Sequence, residues 1–220
     1  MFGSDSVDAS RQARHVMVEK LRSMGIRNEE TLEAMGKTPR HRFVPSKEYY
    51  RAYGDHPVGI GAGQTISQPY MVAAMMENLT PQSHETALEV GSGCGYAAAV
   101  LARLSAKVYA VEKIQSLAAN AKQILGDLGI LNVEVFCGDG SMGWPANAPY
   151  DLILLSAAVP KVSEQLLKQL KDGGRLIAPI GSKEEQTLNL FLKIGDGISQ
   201  RELFPCKFVP IIGPGGFSAI

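Results

Sequence analysis

A glycine loop between two apolar segments constrains the fold of this chain more than any other feature. The apolar segment Thr86–Val90 leads into glycines at every second position, a helical pattern begins at Tyr96, and a second apolar segment, 107–111, ends in Glu112. A strand, a glycine turn, a helix and a strand ending in an acid form half of a nucleotide-binding α/β sheet, in which the acid accepts hydrogen bonds from ribose hydroxyls. Glycine lets the backbone turn sharply and approach a ligand closely. The order of elements therefore predicts an α/β fold with a nucleotide-type ligand beside the loop.

The spacing of the glycines distinguishes two kinds of ligand. A dinucleotide loop has the pattern G-x-G-x-x-G and binds a pyrophosphate at the helix N-terminus. Here the pattern is G-x-G-x-G, and Tyr96 stands where the third dinucleotide glycine would be. A carboxylate at Glu89 would repel a pyrophosphate and would suit a ligand that carries an ammonium group. The pattern E-x-G-x-G-x-G resembles the S-adenosylmethionine loop of Rossmann-like methyltransferases. Two alternative interpretations of the loop are a nicotinamide dehydrogenase and a glycine-rich turn in another α/β protein.

Composition narrows the class of protein. A length of 220 residues predicts one domain, with or without appendages. The 22 Lys and Arg residues balance the 22 Asp and Glu residues, and a zero net charge argues against a nucleic-acid partner held by a broad basic field. The three cysteines lie far apart in the sequence and the four histidines are scattered. The sequence therefore predicts neither a metal site nor a disulfide framework. Because we find no signal peptide and no apolar run of membrane length, we expect a cytoplasmic protein with no membrane partner.

The hydrophobic pattern predicts an N-terminal helical extension followed by an α/β core. In the extension we expect an extended segment at 38–45, a turn-rich segment at 55–64, and helices at 11–24, 29–35 (capped by Asn28) and Pro69–Leu79. In the core we expect helices at 96–104, 116–128 and 163–170, and strands at Thr86–Val90, 107–111, 133–136, Tyr150–Leu155 and 175–179. This alternation implies a mostly parallel, doubly wound sheet covered on both faces. Two further strands, 186–193 and 203–210, have no helix between them and predict an antiparallel edge.

Polar and glycine residues follow each of the first four predicted core strands. In open α/β sheets, ligands bind beyond the carboxyl ends of the strands. Asp139 follows the third strand between two glycines, where it could accept a hydrogen bond from an adenine amino group or form a simple Asp-Gly turn. With an S-adenosylmethionine ligand, we assign Glu112 to the ribose and Glu89 to the methionine end. The predicted cofactor-binding residues are Glu89, Gly91, Ser92, Gly93, Gly95, Glu112, Asp139 and Gly140.

A second segment, Gly-Gln-Thr-Ile-Ser-Gln-Pro-Tyr-Met at 63–71, resembles the signature of protein-L-isoaspartate O-methyltransferases. Further segments similar to this family extend over almost the whole chain; they lie at 39–45, 138–144, 157–160, 166–176 and 208–213. The resemblance implies a Rossmann-like methyltransferase that moves a methyl group from S-adenosyl-L-methionine to the free carboxylate of L-isoaspartyl residues in damaged proteins and peptides. We expect a monomer with a single domain, 1–220, in which 1–80 form a helical, substrate-binding lead and 81–220 form the cofactor-binding core.

The chemistry of such a transfer indicates which residue types to look for. An α-carboxyl group titrates near roughly 3.5, so at neutral pH it is already a nucleophile and requires no general base. Neutral hydrogen-bond donors can orient it, whereas a lysine or arginine would also reduce its nucleophilicity. By its place in the family motif, Ser67 is the first candidate to orient the carboxylate and Thr65 is the second.

Three alternatives remain open from the sequence. Ser67 could instead cap the helix that begins near Pro69. The chain could be a methyltransferase of small molecules on the same scaffold, or a module that binds isoaspartate without modifying it.

Overall fold

The computed structural model describes residues 4–218, which form six α-helices and nine strands. The helices are α1 (Ser4–Ser23), α2 (Glu29–Lys37), α3 (Pro69–Leu79), α4 (Tyr96–Leu101), α5 (Gln115–Asp127) and α6 (Glu164–Leu167). The strands are β1 (Val58–Gly61), β2 (Gln64–Ile66), β3 (Thr86–Val90), β4 (Lys107–Glu112), β5 (Val133–Cys137), β6 (Tyr150–Leu155), β7 (Leu170–Gly181), β8 (Gln186–Ile194) and β9 (Gly197–Cys206). Short 3-10 turns occur at Arg40–Phe43, Ser46–Arg51 and Pro145–Asn147.

Seven of the strands form one sheet in the order β5-β4-β3-β6-β7-β8-β9. The pairs from β5 to β7 are parallel, and β8 and β9 add an antiparallel edge. This confirms the predicted Rossmann-like class. Chain order reverses between β3 and β6, so the loops that follow these two strands diverge and leave a crevice at their carboxyl ends.

Both faces of the sheet are buried, as a parallel sheet requires. Along β3, Ala87 and Leu88 point to opposite faces, and neither is exposed. Ala87 belongs to the apolar cluster that includes α1 to α5. Leu88 lies opposite Ile153 of β6 and packs in a second cluster with Leu166 of α6 and Ile211 near the C-terminus. The layers on both sides fix the strand ends that carry the polar residues.

Several elements match the predictions closely. Helix α3 and the strands β3 and β6 have the predicted bounds. Helix α2 begins after Asn28, whose Oδ1 accepts a hydrogen bond from the Thr31 amide at 2.7 Å, as the N-cap prediction requires. Other boundaries shift by a few residues; α1 starts at Ser4 and β7 at Leu170.

Two predictions in the less regular segments were wrong, and a third was incomplete. Residues 38–45 are not wholly extended, because they contain the 3-10 turn Arg40–Phe43. The turn-rich segment 55–64 contains β1, which pairs with β2 in a small antiparallel sheet. The last strand begins at Gly197 instead of residue 203, directly after a turn in which Gly195 has φ 56°. Residues 197–202 are all exposed, so this edge strand lacks the apolar signal from which strands are recognised.

Candidate active site

A cavity with two lobes opens at the carboxyl ends of β3, β4 and β6. The large lobe has a volume of about 740 Å³, and the small lobe has a volume of about 440 Å³. Four residues line both lobes: Thr65, Gly91, Gly93 and Ser156.

The glycine loop after β3 forms the floor between the lobes. Gly91, Gly93 and Gly95 have φ values of 74°, 56° and 84°, a region that residues with a side chain rarely adopt. The Gly91 amide donates to the Val111 carbonyl at 2.9 Å, which fixes the loop to β4. Gly95 does not line the cavity. A Cβ there would lie 3.2 Å from Cβ of Ala121, so this glycine permits close packing of α4 against α5.

Glu112 joins the loops that follow β3 and β4. Its Oε2 accepts from the Gly93 amide at 2.8 Å, and its Oε1 accepts from the Ile114 amide at 2.8 Å. Each carboxylate oxygen has two lone pairs, so both oxygens retain the capacity to accept a bond from a ligand. Glu112 also lines the large lobe, which places this capacity beside the space for a ligand.

Glu89 is fully buried and lines the small lobe. Its Oε1 accepts from Oγ of Ser156 at 2.5 Å, but its Oε2 has no hydrogen-bond partner among the described residues. Burial raises the pKa of Glu89 to about 7, although the Ser156 hydrogen bond acts in the opposite direction. Ser92 lines the same lobe, and its buried hydroxyl is likewise without a described partner. Unpaired buried polar atoms are costly, so these two favour a polar or cationic ligand group here.

Asp139 lies in the wall of the large lobe, next to Gly140. Its Oδ2 accepts from Nζ of Lys113 at 2.9 Å, and its Oδ1 accepts from the Ser141 amide at 2.9 Å. Partial burial acts to raise the pKa of Asp139, but these hydrogen bonds outweigh it and lower the pKa below its ordinary value. The side chain is therefore an ionised acceptor at neutral pH. Lys113 and Ser141 were not predicted as site residues, because Lys113 belongs to no motif and the family-like segment 138–144 gave Ser141 no position in space.

Residues 209–212 form a wall of the large lobe that the sequence analysis also missed. The Ile211 amide donates to the Ala158 carbonyl at 2.8 Å, which attaches the wall to the loop after β6. Nζ of Lys113 donates to the Ile212 carbonyl at 2.9 Å. The Gly215 amide donates to Oγ of Ser141 at 3.1 Å. The only signal for this segment was its similarity to a family block, which gave no position in space.

Ser67 and Thr65 lie on the small lobe, between β1 and α3. Ser67 is not the N-cap of α3; that position is Gln68, and the Tyr70 amide of the first turn donates to Oδ1 of Asp55 at 2.8 Å. The Ser67 hydroxyl has no hydrogen-bond partner among residues 4–218, while its carbonyl accepts from Nη2 of Arg40 at 2.6 Å. Its main chain is therefore held, and its hydroxyl is available to a ligand.

The cavity thus brings together every predicted site residue except Gly95. No group of three or more His, Cys, Asp or Glu residues in the described part of the chain could hold a metal ion. None of the described helices is long and apolar enough to cross a membrane.

Comparisons with known proteins agree with this geometry. Residues 11–215 match the model of a family described as protein-L-isoaspartate (D-aspartate) O-methyltransferase. A protein-L-isoaspartate O-methyltransferase of Synechococcus sp. is 50% identical over 94% of this chain and 88% of its own length. One of Methanoculleus marisnigri is 46% identical over 96% of both chains.

Solved structures lead to the same family. A protein-L-isoaspartate O-methyltransferase superposes with a TM-score of 0.82 at 31% identity, over 92% of this chain and 66% of the other. A Plasmodium falciparum protein assigned the same activity, solved in complex with S-adenosyl-L-homocysteine, has a TM-score of 0.80 at 25% identity, over 90% of this chain and 98% of its own. This chain belongs to the protein-L-isoaspartate O-methyltransferase family.

Proposed function

We propose that this protein is an S-adenosylmethionine-dependent enzyme that methylates the free carboxylate of L-isoaspartyl residues in damaged proteins and peptides. Membership of the family supports the reaction. The observation that carries the proposal is the two-lobed cavity, in which nucleotide-type acceptors line one lobe and the unpartnered hydroxyl of Ser67 lies on the other. A methyltransferase of small molecules, the alternative from the sequence, is not favoured by any relative named above.

The residues of the cavity fit S-adenosylmethionine. When bound, this cofactor supplies a methyl group on a positively charged sulfur. Glu112 would accept hydrogen bonds from the ribose hydroxyls, and Asp139 would accept one from the adenine amino group. Glu89 would face the ammonium end, where its unpaired Oε2 and its burial favour a cationic partner. The acceptors therefore match the chemistry of the cofactor from one end to the other.

On the substrate side, the enzyme mainly has to orient the carboxylate of the substrate. An isoaspartyl carboxylate is ionised at neutral pH, so the enzyme has to hold its oxygen in line with the methyl carbon and exclude water. We assign this orientation to the hydroxyl of Ser67, with Thr65 beside it. No lysine or arginine lines the small lobe among the described residues, so no cation there would reduce the nucleophilicity of the carboxylate.

Selection of isoaspartate follows from the shape of the residue. Its carboxylate lies directly on Cα, and the main chain continues through what was the side chain. A rigid pocket distinguishes this branch from a normal aspartate. In this family the methyl ester closes spontaneously to a succinimide, and hydrolysis of the succinimide returns part of the material to normal aspartate.

We further propose that the lead, 1–80, and the core, 81–220, act as one domain. Support comes from the cavity, since the lead supplies Thr65 and Ser67 whereas the core supplies the glycine loop, Glu112 and Asp139. We propose that the protein acts as a monomer, a state that is consistent with a lead and a core that together line both lobes. The three cysteines are free thiols, which is usual in the reducing cytoplasm, where we propose that the protein acts.

Methyl transfer to a pair of peptides tests this function. One peptide carries an L-isoaspartyl residue and its twin carries a normal aspartyl residue; both are incubated with S-adenosylmethionine labelled in the methyl group. We expect kcat/KM to be at least about a hundredfold higher for the isoaspartyl peptide, which is about 2.7 kcal/mol in the barrier.

An isoaspartyl peptide whose carboxylate is converted to an amide is the matched control and should accept no label. Similar rates on the isoaspartyl and aspartyl peptides would instead indicate a general carboxyl methyltransferase. Tight cofactor binding with no transfer to either peptide would indicate a small-molecule enzyme.

A further inference from the structure

Arg40 is a buried arginine that neither the sequence motifs nor the proposed reaction explains. It is 0% exposed, and it has no carboxylate within hydrogen-bond distance among the described residues. Burial lowers the pKa of its guanidinium. Taking an unpaired charge out of water costs several kcal/mol, and an apolar side chain of similar size would usually avoid that cost. A residue retained at such a cost calls for a role that an apolar side chain lacks.

The guanidinium of Arg40 joins three separate segments of the chain. Nε donates to the carbonyl of Ala52, which follows the 3-10 turn Ser46–Arg51, at 2.7 Å. Nη2 donates to the carbonyl of Ser67 at 2.6 Å. The guanidinium carbon lies 4.7 Å from the ring centroid of Tyr96, the first residue of α4 after the glycine loop. One planar group thus connects the substrate segment with the cofactor loop.

The geometry of these contacts suits arginine in particular. Two N–H groups in a fixed fork reach two carbonyls at once, while the flat face stacks on an aromatic ring. Lysine has a single nitrogen and cannot stack in this way. The contacts therefore depend on the shape of the guanidinium as well as on its charge.

Ser67 depends on side chains for its position, because no regular element includes it. Strand β2 ends at Ile66 and α3 begins at Pro69. Arg40 holds the Ser67 carbonyl from one side, and on the other side Asp55 holds the Tyr70 amide at 2.8 Å. The Ser67 carbonyl belongs to the peptide plane that follows its Cα, so holding this plane limits the directions in which the Ser67 side chain can point.

We propose that Arg40 is a positioning residue for methyl transfer, which fixes the main chain of Ser67 and holds it in register with the cofactor loop through Tyr96. This inference rests on the proposed function and adds to it a residue that does not touch the substrate. Arg40 does not line either lobe, so its charge stays away from the reacting carboxylate. The enzyme thereby uses a cation to orient a neutral hydroxyl.

The test measures single-turnover methyl transfer to the isoaspartyl peptide, cofactor affinity by calorimetry and the melting temperature. The variants are Arg40→Lys, which keeps the charge and loses the fork, and Arg40→Met, which is apolar and similar in length. We expect transfer at saturating peptide and cofactor to fall at least tenfold in both. The cofactor Kd and the KM for peptide should stay within about threefold, and melting should remain cooperative. Arg103→Lys is the control for loss of a guanidinium elsewhere, since Arg103 is exposed, donates to Oγ1 of Thr38 at 3.0 Å and has no contact with Ser67; it should transfer at the wild-type rate.

A double-variant cycle separates positioning from general structural support. If Arg40 acts through Ser67, then Arg40→Lys should slow transfer by less than twofold in the Ser67→Ala background. An equal effect of Arg40→Lys in both backgrounds would overturn the proposal, as would wild-type transfer in Arg40→Lys and Arg40→Met. Loss of cooperative melting in both would also overturn it, since Arg40 would then be required for folding. If the proposed function is wrong, the wild-type protein itself fails to label the isoaspartyl peptide, which distinguishes the two failures.

Discussion

The two sides of the cavity are held in place by different kinds of contact. On the side that we propose for the cofactor (the cofactor side), Glu89 and Glu112 lie at the ends of neighbouring parallel strands, whose register places Glu89 beside Ala110. On the side that we propose for the substrate (the substrate side), Ser67 lies between a three-residue strand and a helix, and the side chains of Arg40 and Asp55 hold its segment. A backbone ladder thus supports the first side, so that a substitution there changes one contact. The second side depends on a few side chains, so that one substitution can move the segment.

Within the cofactor side, two glutamates of similar position have different surroundings. Two backbone amides bond to the carboxylate of Glu112. Glu89 has one hydroxyl partner and one unpaired oxygen, and burial raises its pKa to about 7. We therefore expect Glu112 to contribute mainly to binding, and Glu89 to make stability depend on pH.

The largest expected effect is on the pH dependence of stability in Glu89→Gln. Because the pKa of Glu89 rises from 4.5 to about 7 on folding, the contribution of its proton is fully present below pH 4.5 and is lost as the pH rises to 7. Glutamine does not titrate, so the variant does not lose this contribution. Between pH 4.5 and 8, the free energy of unfolding of the variant minus that of wild type should therefore increase by about 3 kcal/mol. Urea unfolding at several pH values measures this. Glu202→Gln, on the exposed edge strand, is the control; a Glu89→Gln curve parallel to the wild-type curve would contradict the prediction.

A smaller effect is expected for Glu112→Ala on cofactor affinity. Loss of the carboxylate removes the acceptor for ribose and releases the Gly93 amide, so binding should weaken by about 2 kcal/mol, roughly thirtyfold. Isothermal titration calorimetry with S-adenosylmethionine checks this value. Glu134→Ala, on the neighbouring strand β5 and exposed, should bind as tightly as wild type. An unchanged Kd in Glu112→Ala would mean that the ribose is held elsewhere.

The smallest effect is expected for Ser67→Ala, and it concerns the rate alone. Loss of one neutral hydrogen bond to the carboxylate should slow single-turnover transfer about tenfold, or about 1.4 kcal/mol in the barrier. Because the Ser67 hydroxyl has no partner among the described residues, the melting temperature and the cofactor Kd should not change. Ser199→Ala, on the exposed strand β9, is the control. A destabilised variant with full activity would show that Ser67 is structural and would remove the contrast between the two sides.

The strands that carry the cofactor side were predicted closely, because regular strands leave a pattern in the sequence. Apolar segments that alternate with helical patterns predicted β3 and β4. The position of Glu112 at the end of the second apolar segment identified it as a candidate ligand residue. Because the carboxyl ends of parallel strands lie at the same edge of a sheet, the residues at these ends come together whatever the details of the loops. Gly95 shows the limit of this reasoning, since the pattern grouped it with ligand glycines while the structure uses it for packing between helices.

The substrate side could not be derived in the same way. The two prolines of 38–45 predicted an extended segment, and no sequence signal indicates that Arg40 is buried against Ser67. The first turn of α3 is held by Asp55, which is distant in sequence, so local pattern alone suggested Ser67 as the cap. Strand β1 has only four residues, too few for its alternation to stand out from a turn-rich segment. Such contacts between irregular segments depend on tertiary structure, which local patterns do not encode.

The wall at residues 209–212 provides a reporter of local unfolding. Lys113 donates to the carbonyl of Ile212 in the wall, and Ser141 accepts from Gly215, three residues beyond it; both Lys113 and Ser141 line the large lobe. Separation of the wall from these two residues exposes the Gly215 amide to exchange with solvent, and local openings of this kind set exchange rates in folded proteins. A molecule bound behind the closed wall stabilises the closed state by mass action. Deuterium uptake at Gly215, which is outside the lining of the cavity, therefore measures occupancy of the large lobe without any methyl transfer.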